Sequence, residues 1–377
     1  MPVMATRLRQ ARLRIHLLAP AVQVFDAIGN DVMGMREVFA EAGHEVAVFA
    51  ESWSPALADH VEALEPRAAI WEDRSAILIY HHSTKWPRGE ALLERTANRI
   101  VIRHHNVTPP AFFEPYSPDH RTACAEGVES TRKLAALGGA RYWCDSAFNA
   151  GELVSYGAAW GNCRILPPLN RVSALLSSTT DLSLYGRLER RTVILFTGGI
   201  KPNKGHKALI EAFSVYQRRF NSRSALLLAG GIDERLRGYV HELQSLALVR
   251  GVRDSVIFTG AVSEAELRFC YERADIFACV SDHEGFCVPL VEAMAFGLPI
   301  VGAARTAAPE TVGEAGLMFE EPDSTILAEA VNFLSEQPET AAALGRKARR
   351  RYGRLYAPEA LHRQTRRLLG ELETGGA

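Results

Sequence analysis

Paired cysteines, long apolar stretches, an excess of one charge and a dinucleotide fingerprint are all missing from this chain, and each absence narrows what it can be. The six cysteines (Cys124, Cys144, Cys163, Cys270, Cys279, Cys287) form no C-x-x-C spacing, and several sit inside apolar runs where a thiol behaves as a small hydrophobe. That usage suits a reducing cytoplasm. The opening "MPVMATRLRQARLRIHLLAP" is basic, but its apolar run is far shorter than a membrane span and shorter than a good signal-peptide core, so neither segment is expected. Lys and Arg (43) nearly balance Asp and Glu (44), which argues against a nucleic-acid binder and leaves any charged partner to a local patch. No G-x-G-x-x-G follows the first apolar run, which counts against a dehydrogenase. No His/Glu/Asp spacing suggests a zinc helix or a calcium loop.

What is present is a repeating alternation. Apolar runs of four to eight residues are each followed by ten to fifteen residues of helical pattern, the signature of βαβ units and a parallel sheet. In the first half the runs lie at 14–19, 45–50, 76–82, 99–105, 141–146 and 163–168. Residues 169–191 lose the pattern and collect Ser and Thr, as a connection would. The pattern restarts at 192–199, 225–231, 255–260, 274–281, 298–303 and 316–319, in runs apolar enough for strands covered on both faces. A length of 377 residues also favours two cores. The expected fold is therefore α/β, with two doubly wound parallel sheets: an N-terminal domain to about 180, a second from 181 to 355, and a C-terminal helix over 356–377 that packs back toward the first.

"DHEGFCVPLVEAMAFGLPIV", residues 282–301, sets Glu284 and Glu292 seven residues apart in an otherwise apolar stretch. Open sheets of this kind bind ligands beyond the carboxyl ends of their strands, so Glu284 falls on a strand-to-helix loop and Glu292 about one turn inside the helix, both facing the crevice. Free N–H groups at the helix start around Val288 to Leu290, where Pro289 itself carries none, would form an anion site between them. Carboxylates for hydroxyls and amides for phosphate suit a sugar nucleotide. The same spacing also suits a dipole-capping carboxylate followed by a solvated helix glutamate.

The surrounding residues resemble a known family. "EGFCVPLVEAMAFGLPIV" is similar to the E-x7-E signature of the retaining glycosyltransferases of family four, whose GT-B architecture sets two Rossmann-like domains face to face. "FTGGIKPNKGHKALIEAF" (196–213), "VIFTGAVSEAELRFCYERADIFACVS" (256–281), "APETVGEAGLMFEEPD" (308–323) and, in the N-terminal half, "DAIGNDVMGMREVFAEAGHEV", "RHHNVTPPAFF" and "DSAFNAGEL" resemble further motifs in the same order. The resemblance implies that Glu292 accepts from the nucleotide ribose and that Glu284 contacts the transferred sugar. Gly285 would let the backbone approach that sugar, with Phe286 and Cys287 beside it, and Lys204 would pair with the diphosphate. Base recognition would use backbone near Val262. The family usually carries arginine after the first glycine of its phosphate loop; here Gly199 follows Gly198, and Lys201 or Arg305 is the candidate replacement.

On the opposite wall, Gly29 and Asn30 follow the first strand where amides become available to phosphate or acceptor. His104 and His105 end a strand and point to opposite sides; His105 is the one the resemblance brings to the reaction centre, and His81 and His82 form a second such pair. The implied reaction is retaining hexose transfer, with mannose from GDP-mannose as the leading donor and UDP-sugars next, onto a glycan or lipid-linked acceptor of a surface polysaccharide. No metal or cofactor is implied, since protein cations and helix ends neutralise the diphosphate. Two other classes remain: a sugar-nucleotide 2-epimerase, which needs no acceptor, and a binding protein that has lost activity, for which Gly199 in place of arginine is the support. The basic stretch 345–369 either faces anionic lipid at the inner surface of the membrane or is a set of solvated helix faces.

Overall fold

The computed structural model describes residues 12–373; the basic opening, residues 1–11, lies outside the described residues. The strands are β1 (Arg14–Leu18), β2 (Ala21–Val22), β3 (Glu45–Ala50), β4 (Ser52–Trp53), β5 (Glu62–Ala63), β6 (Ile77–His82), β7 (Arg99–His104), β8 (Arg141–Cys144), β9 (Cys163–Ile165), β10 (Thr192–Thr197), β11 (Ser224–Ala229), β12 (Val256–Gly260), β13 (Ile276–Cys279), β14 (Ile300–Ala303) and β15 (Gly316–Phe319). All twelve apolar runs read from the sequence are strands. The two-residue strands β2, β4 and β5 are too short for a periodic signal.

Two large parallel sheets result, ordered β5-β3-β1-β6-β7-β8-β9 and β12-β11-β10-β13-β14-β15, and β2 pairs with β4 in a separate two-stranded one. Counted within its own lobe, the second sheet runs 3-2-1-4-5-6, the doubly wound order. Its direction of winding reverses between β10 and β13, where Ile194 pairs with Ile276 and Leu195 with Phe277. In the first sheet the reversal lies between β1 and β6, in register from Ile15–Ile77 to Leu18–Tyr80. Loops leaving neighbouring strands at a reversal diverge to opposite faces and open a crevice. Each lobe therefore has one such crevice, at the carboxyl end of its sheet.

The connection at 169–191 is not an open linker. It forms helices Val172–Ser177 and Tyr185–Leu188, and Val172, Leu175 and Leu188 are buried in the second lobe's core, because leucines among the serines keep a helical spacing. The helix Pro358–Glu373 sends Leu361, Leu368 and Leu369 into the first lobe's core beside Met35 and Phe39. Each such leucine, fully buried, is worth about 1.5–3 kcal/mol, enough to hold the last helix across the domain boundary. No helix of the described residues is long and apolar enough to cross a membrane.

Candidate active site

The two crevices share one cavity of about 330 Å³, lined from the first lobe by Asp26, His105, Asn106 and Asp145 and from the second by Lys201, Lys204, His283, Glu284 and the stretch Gly285–Pro289. Loop 280–287 after β13 is its floor. Glu284 N–H donates to Thr306 Oγ1 at 2.9 Å. A Cβ on Gly285 would stand 2.7 Å from Asn106 Cβ and 3.0 Å from the His105 carbonyl oxygen. Glycine is thus required because the other lobe's backbone lies against it. The same contact is locked by Ser146 Oγ–H donating to the Gly285 carbonyl (2.7 Å), by His283 Nε2 with Asn106 Oδ1 (2.6 Å), and by the Ala147 N–H donating to the Glu310 carboxylate (2.8 and 3.0 Å).

Three non-glycine residues around this loop, Asn106, Cys287 and Thr306, hold positive φ (71°, 74° and 50°). Strain of that kind costs about 1–3 kcal/mol per residue and persists where the surroundings impose it, which is typical of ligand clamps. Its product here is a row of backbone donors. The amides of Gly285, Phe286 and Cys287 find no acceptor among the described residues, and they lead into the helix Val288–Phe296. Orphan amides with a helix dipole behind them form an anion site. Gly285→Ala would drive a methyl into Asn106 and wedge the lobes apart. We expect it to keep the melting temperature within a few degrees while turnover falls at least about tenfold, as misplacement of reacting groups does; thermal melts and steady-state assays check this.

Cations stand on the facing side. Lys204 Nζ donates to both oxygens of Glu284, each at 2.7 Å. Burial opposes its charge, but the Glu284 carboxylate, together with Cys287 and Cys279 beside it, more than offsets burial and the Lys204 pKa is raised. Lys201 lines the same cavity with no hydrogen-bond or ion-pair partner among the described residues. Desolvation between the lobes, followed by repulsion from Lys204, lowers its pKa. An unpartnered ammonium next to a paired one is an arrangement that an incoming polyanion relieves.

Behind His105 lies a buried charge network. Its Nδ1 is 3.1 Å from Asp145 Oδ2 and its Nε2 is 3.0 Å from His81 Nδ1. Arg103, fully buried, donates from Nε to Asp31 at 2.8 Å and stands 2.7 Å from Asp145. Asp31 also accepts from the Leu169 N–H at 2.7 Å. Desolvation would raise the Asp145 pKa, but Arg103 and His105 more than offset it and the net shift is downward. Burial and the neighbouring ring of His105 push His81 well below its ordinary value, so it stays neutral. Asp31, His81 and His105 bring ligand atoms within 4.8 Å of one another, as do Cys279, Glu284 and Cys287. In the first set those atoms are already engaged with each other and with Arg103.

Comparison with known proteins bears on this geometry. The family model described as glycosyl transferases group 1 matches residues 183–351. Over 337 residues the chain is 33% identical to the GDP-mannose-dependent alpha-(1-6)-phosphatidylinositol monomannoside mannosyltransferase of Mycolicibacterium smegmatis, covering 80% of this chain and 84% of that one. The chain belongs to the group 1 glycosyl transferases. Two solved structures share the fold of this glycosyltransferase. Sucrose-phosphate synthase from Thermosynechococcus elongatus superposes with a TM-score of 0.76 at 18% identity (97% of this chain, 100% of that one). Anabaena HepE in complex with UDP-glucose gives 0.76 at 16% identity (96% and 100%). The fold is GT-B.

In this glycosyltransferase the residues singled out from the sequence divide into two groups. His105, Lys201, Lys204, Glu284, Gly285, Phe286, Cys287, Val288 and Pro289 meet on the one cavity. The others stand elsewhere, each for a local reason. Gly29 and Asn30 have no free amide: the Asp26 carboxylate caps Gly29 N–H (3.0 Å) and the Asp26 carbonyl takes Asn30 N–H (2.9 Å). Gly29 is glycine because a Cβ would lie 2.1 Å from the Gln23 carbonyl oxygen. Gly198 and Gly199 turn the chain at the end of β10 against Gly230 and Gly231. Leu290 is fully buried and its N–H returns to the Cys287 carbonyl, so it adds nothing to the amide row. Phe286, although it lines the cavity, turns its ring toward the core, edge-on to Tyr356 at 5.6 Å. Val262 lies half-buried on the turn after β12, off the cavity.

Arg305 is also off the cavity, since its guanidinium is spent on Asp282. Glu292 does not face the cavity as Glu284 does. Its carboxylate accepts from Tyr271 O–H at 2.6 Å, and that hydroxyl also meets Thr197 Oγ1 at 2.6 Å, at the end of β10. Burial raises the Glu292 pKa, opposed by the Tyr271 hydrogen bond. Only the ionised form accepts from a diol without loss. On the resemblance's reading of Glu292 as the ribose acceptor, nucleotide affinity would be full above the raised pKa and fall as pH drops through it, and Tyr271→Phe would then move that fall to higher pH in calorimetric titrations.

Sequence reasoning missed His283, Asn203, Asp145 and Tyr271. The Asn203 side-chain amide Nδ2–H donates to the His283 carbonyl (3.1 Å) across 80 residues, a pairing with no sequence signal. Asp145 had one: it follows the strand "RYWC" at the same carboxyl edge as His105.

Proposed function

We propose that this glycosyltransferase moves mannose from GDP-mannose, with retention at the anomeric carbon, to a glycan or lipid-linked acceptor of a surface polysaccharide. The observation that carries the reading is the cavity in which three amides without an acceptor among the described residues stand with Lys201, Lys204, Glu284 and His105. The diphosphate lies on the amide row between the two lysines, and the helix dipole and both ammonium groups take up the charge that develops on it as it leaves. No resident metal is required of this site, because these groups supply the neutralisation. Glu284 exchanges its bond to Lys204 for hydroxyls of the sugar, while Lys204 turns to the phosphate. The leaving phosphate takes the acceptor proton on the same face, and His105, oriented by Asp145, hydrogen-bonds the sugar. The preference for GDP-mannose rests on the named activity of the Mycolicibacterium relative.

The enzyme works in the cytoplasm, at the inner face of the membrane where lipid-linked acceptors are presented. Lys347, Arg350 and Arg354, on the outer face of the helix Pro338–Leu355, supply a peripheral contact with anionic lipid. Arg349 and Arg351 are excluded from that contact, since they bind the carbonyls of Phe296 and of Thr311 and Glu310. A thermal-shift panel of GDP-, UDP- and dTDP-sugars, followed by transfer assays on the hits, tests the reading; stabilisation by GDP-mannose is expected, and a response to UDP-sugars alone would overturn the donor assignment.

The missing arginine of the phosphate loop gives a second test. Lys201 replaces it, so Lys201→Ala should weaken the donor about tenfold, roughly 1.4 kcal/mol. Arg305→Ala should change affinity less than about twofold, because its partner Asp282 is outside the cavity and exposed ion pairs contribute little. Calorimetric titration of both variants decides between them.

A further inference from the structure

Cys279 closes β13 and Cys287 precedes the helix Val288–Phe296; their sulfurs stand 3.9 Å apart, both buried, and the Glu284 carboxylate completes a set of ligand atoms within 4.8 Å of one another. We propose that Cys279, Cys287 and Glu284 form a zinc-binding site in the wall of the donor cleft, and that the ion there excludes the donor. Two Zn–S bonds of about 2.3 Å at a tetrahedral angle separate the sulfurs by roughly 3.8 Å. The observed spacing matches without movement, whereas a disulfide, at about 2.05 Å, would need the strand end and the strained loop to close on each other. Zinc takes thiolate and carboxylate readily, and Cys287 and Glu284 both line the cavity, which gives an ion a route of entry.

Charge also balances. With both thiols protonated, the two sulfurs, the Glu284 carboxylate and the Lys204 ammonium sum to zero. Zinc displaces two protons, one from each thiol, and two thiolates, one carboxylate, one ammonium and the dication again sum to zero. Lys204 stays on Glu284, in the outer shell that a metal ligand needs, and Ser281 Oγ, 3.8 Å from Cys279 Sγ, supports the other thiolate. Occupation removes Glu284 and the Cys287 corner from the donor, so it inhibits. The inhibition rests on the donor-cleft reading; the metal binding does not.

The test uses full-length, reduced, chelator-treated protein titrated with cadmium, a zinc surrogate whose thiolate bonds absorb in the near ultraviolet. One equivalent should produce the thiolate-to-metal band with two protons released, and Cys279→Ser should lose it. Glu284→Gln keeps both thiols, and is expected to keep the band while binding at least tenfold more weakly. One equivalent of zinc should abolish GDP-mannose turnover, and EDTA should restore it. No thiolate band in the wild type, the same band in folded Cys279→Ser, or unchanged affinity in Glu284→Gln would overturn the site. A clean band in a protein that transfers no sugar from any donor would leave the metal site standing and sink the functional reading instead.

Discussion

Glu284→Ala is expected to lower sugar transfer by roughly two to three orders of magnitude, the range seen when one preorganised group is removed from a charge-stabilising site. Lys204→Ala should fall as far in turnover, and the two variants should part company in binding. In the resting cleft each side chain neutralises the other, at 2.7 Å. Without Glu284, Lys204 is free for the diphosphate, so GDP should bind as tightly as to wild type or more tightly. Without Lys204, the buried Glu284 carboxylate faces the phosphates unpaired, and GDP should bind more weakly by about tenfold or more. Opposite signs in GDP affinity with matching losses in turnover form a signature that simple damage to the loop would not reproduce. Calorimetry with GDP and steady-state transfer assays read both.

The largest effect on stability should come from a residue that touches no substrate. Arg103 lies fully buried between Asp31 and Asp145. Arg103→Met leaves two carboxylates without a counter-charge in the core, which costs about 3–5 kcal/mol. At about 2–4 °C per kcal/mol for a lobe of this size, the first lobe should melt roughly 6–20 °C lower. The pH dependence has a definite sign. The Asp145 pKa is depressed in the wild type despite its burial, by Arg103 and then His105, so its contribution is present above the unfolded carboxylate value and is lost as pH falls through the lower folded value. Wild type and variant should therefore converge in acid, as the orphaned carboxylates take up protons, and differ fully at neutral pH. Melting curves across pH 4 to 8, on the order of the carboxylate-to-neutral range, provide the check.

Those two predictions rest on different kinds of knowledge. The sheets were readable because buried parallel strands such as "TVILFT" and "IVGA" carry apolar side chains on both faces, and their carboxyl ends then located Glu284, whereas Lys204 and His105 were singled out by the family resemblance. Contacts between distant segments were not readable. Gly285 looks like a glycine that admits a sugar, yet the space it opens is filled by His105 and Asn106 of the other lobe. Phe286 alternates out of the loop, and only the position of Tyr356 explains why it turns inward. Arg305 and Lys201 are equal candidates as cations in a sequence. Asp282, 23 residues away from Arg305, is what takes one of them out of the cleft. Gly29 resembles a phosphate-loop glycine until the Asp26 cap has used its amide. In each case the residue type reported a local constraint, and the partner that imposed it was a chain segment brought in by the fold.

Central to the proposed transfer is an amide row that, with its two lysines, grips a diphosphate. Titrating GDP-mannose into the wild-type protein and into Lys201→Ala/Lys204→Ala at two salt concentrations tests this directly. One site per chain is expected in the wild type, weakening as salt rises, with loss of binding by about two orders of magnitude in the double variant. Equal affinity in both proteins, or binding in neither while the fold is intact, would contradict it.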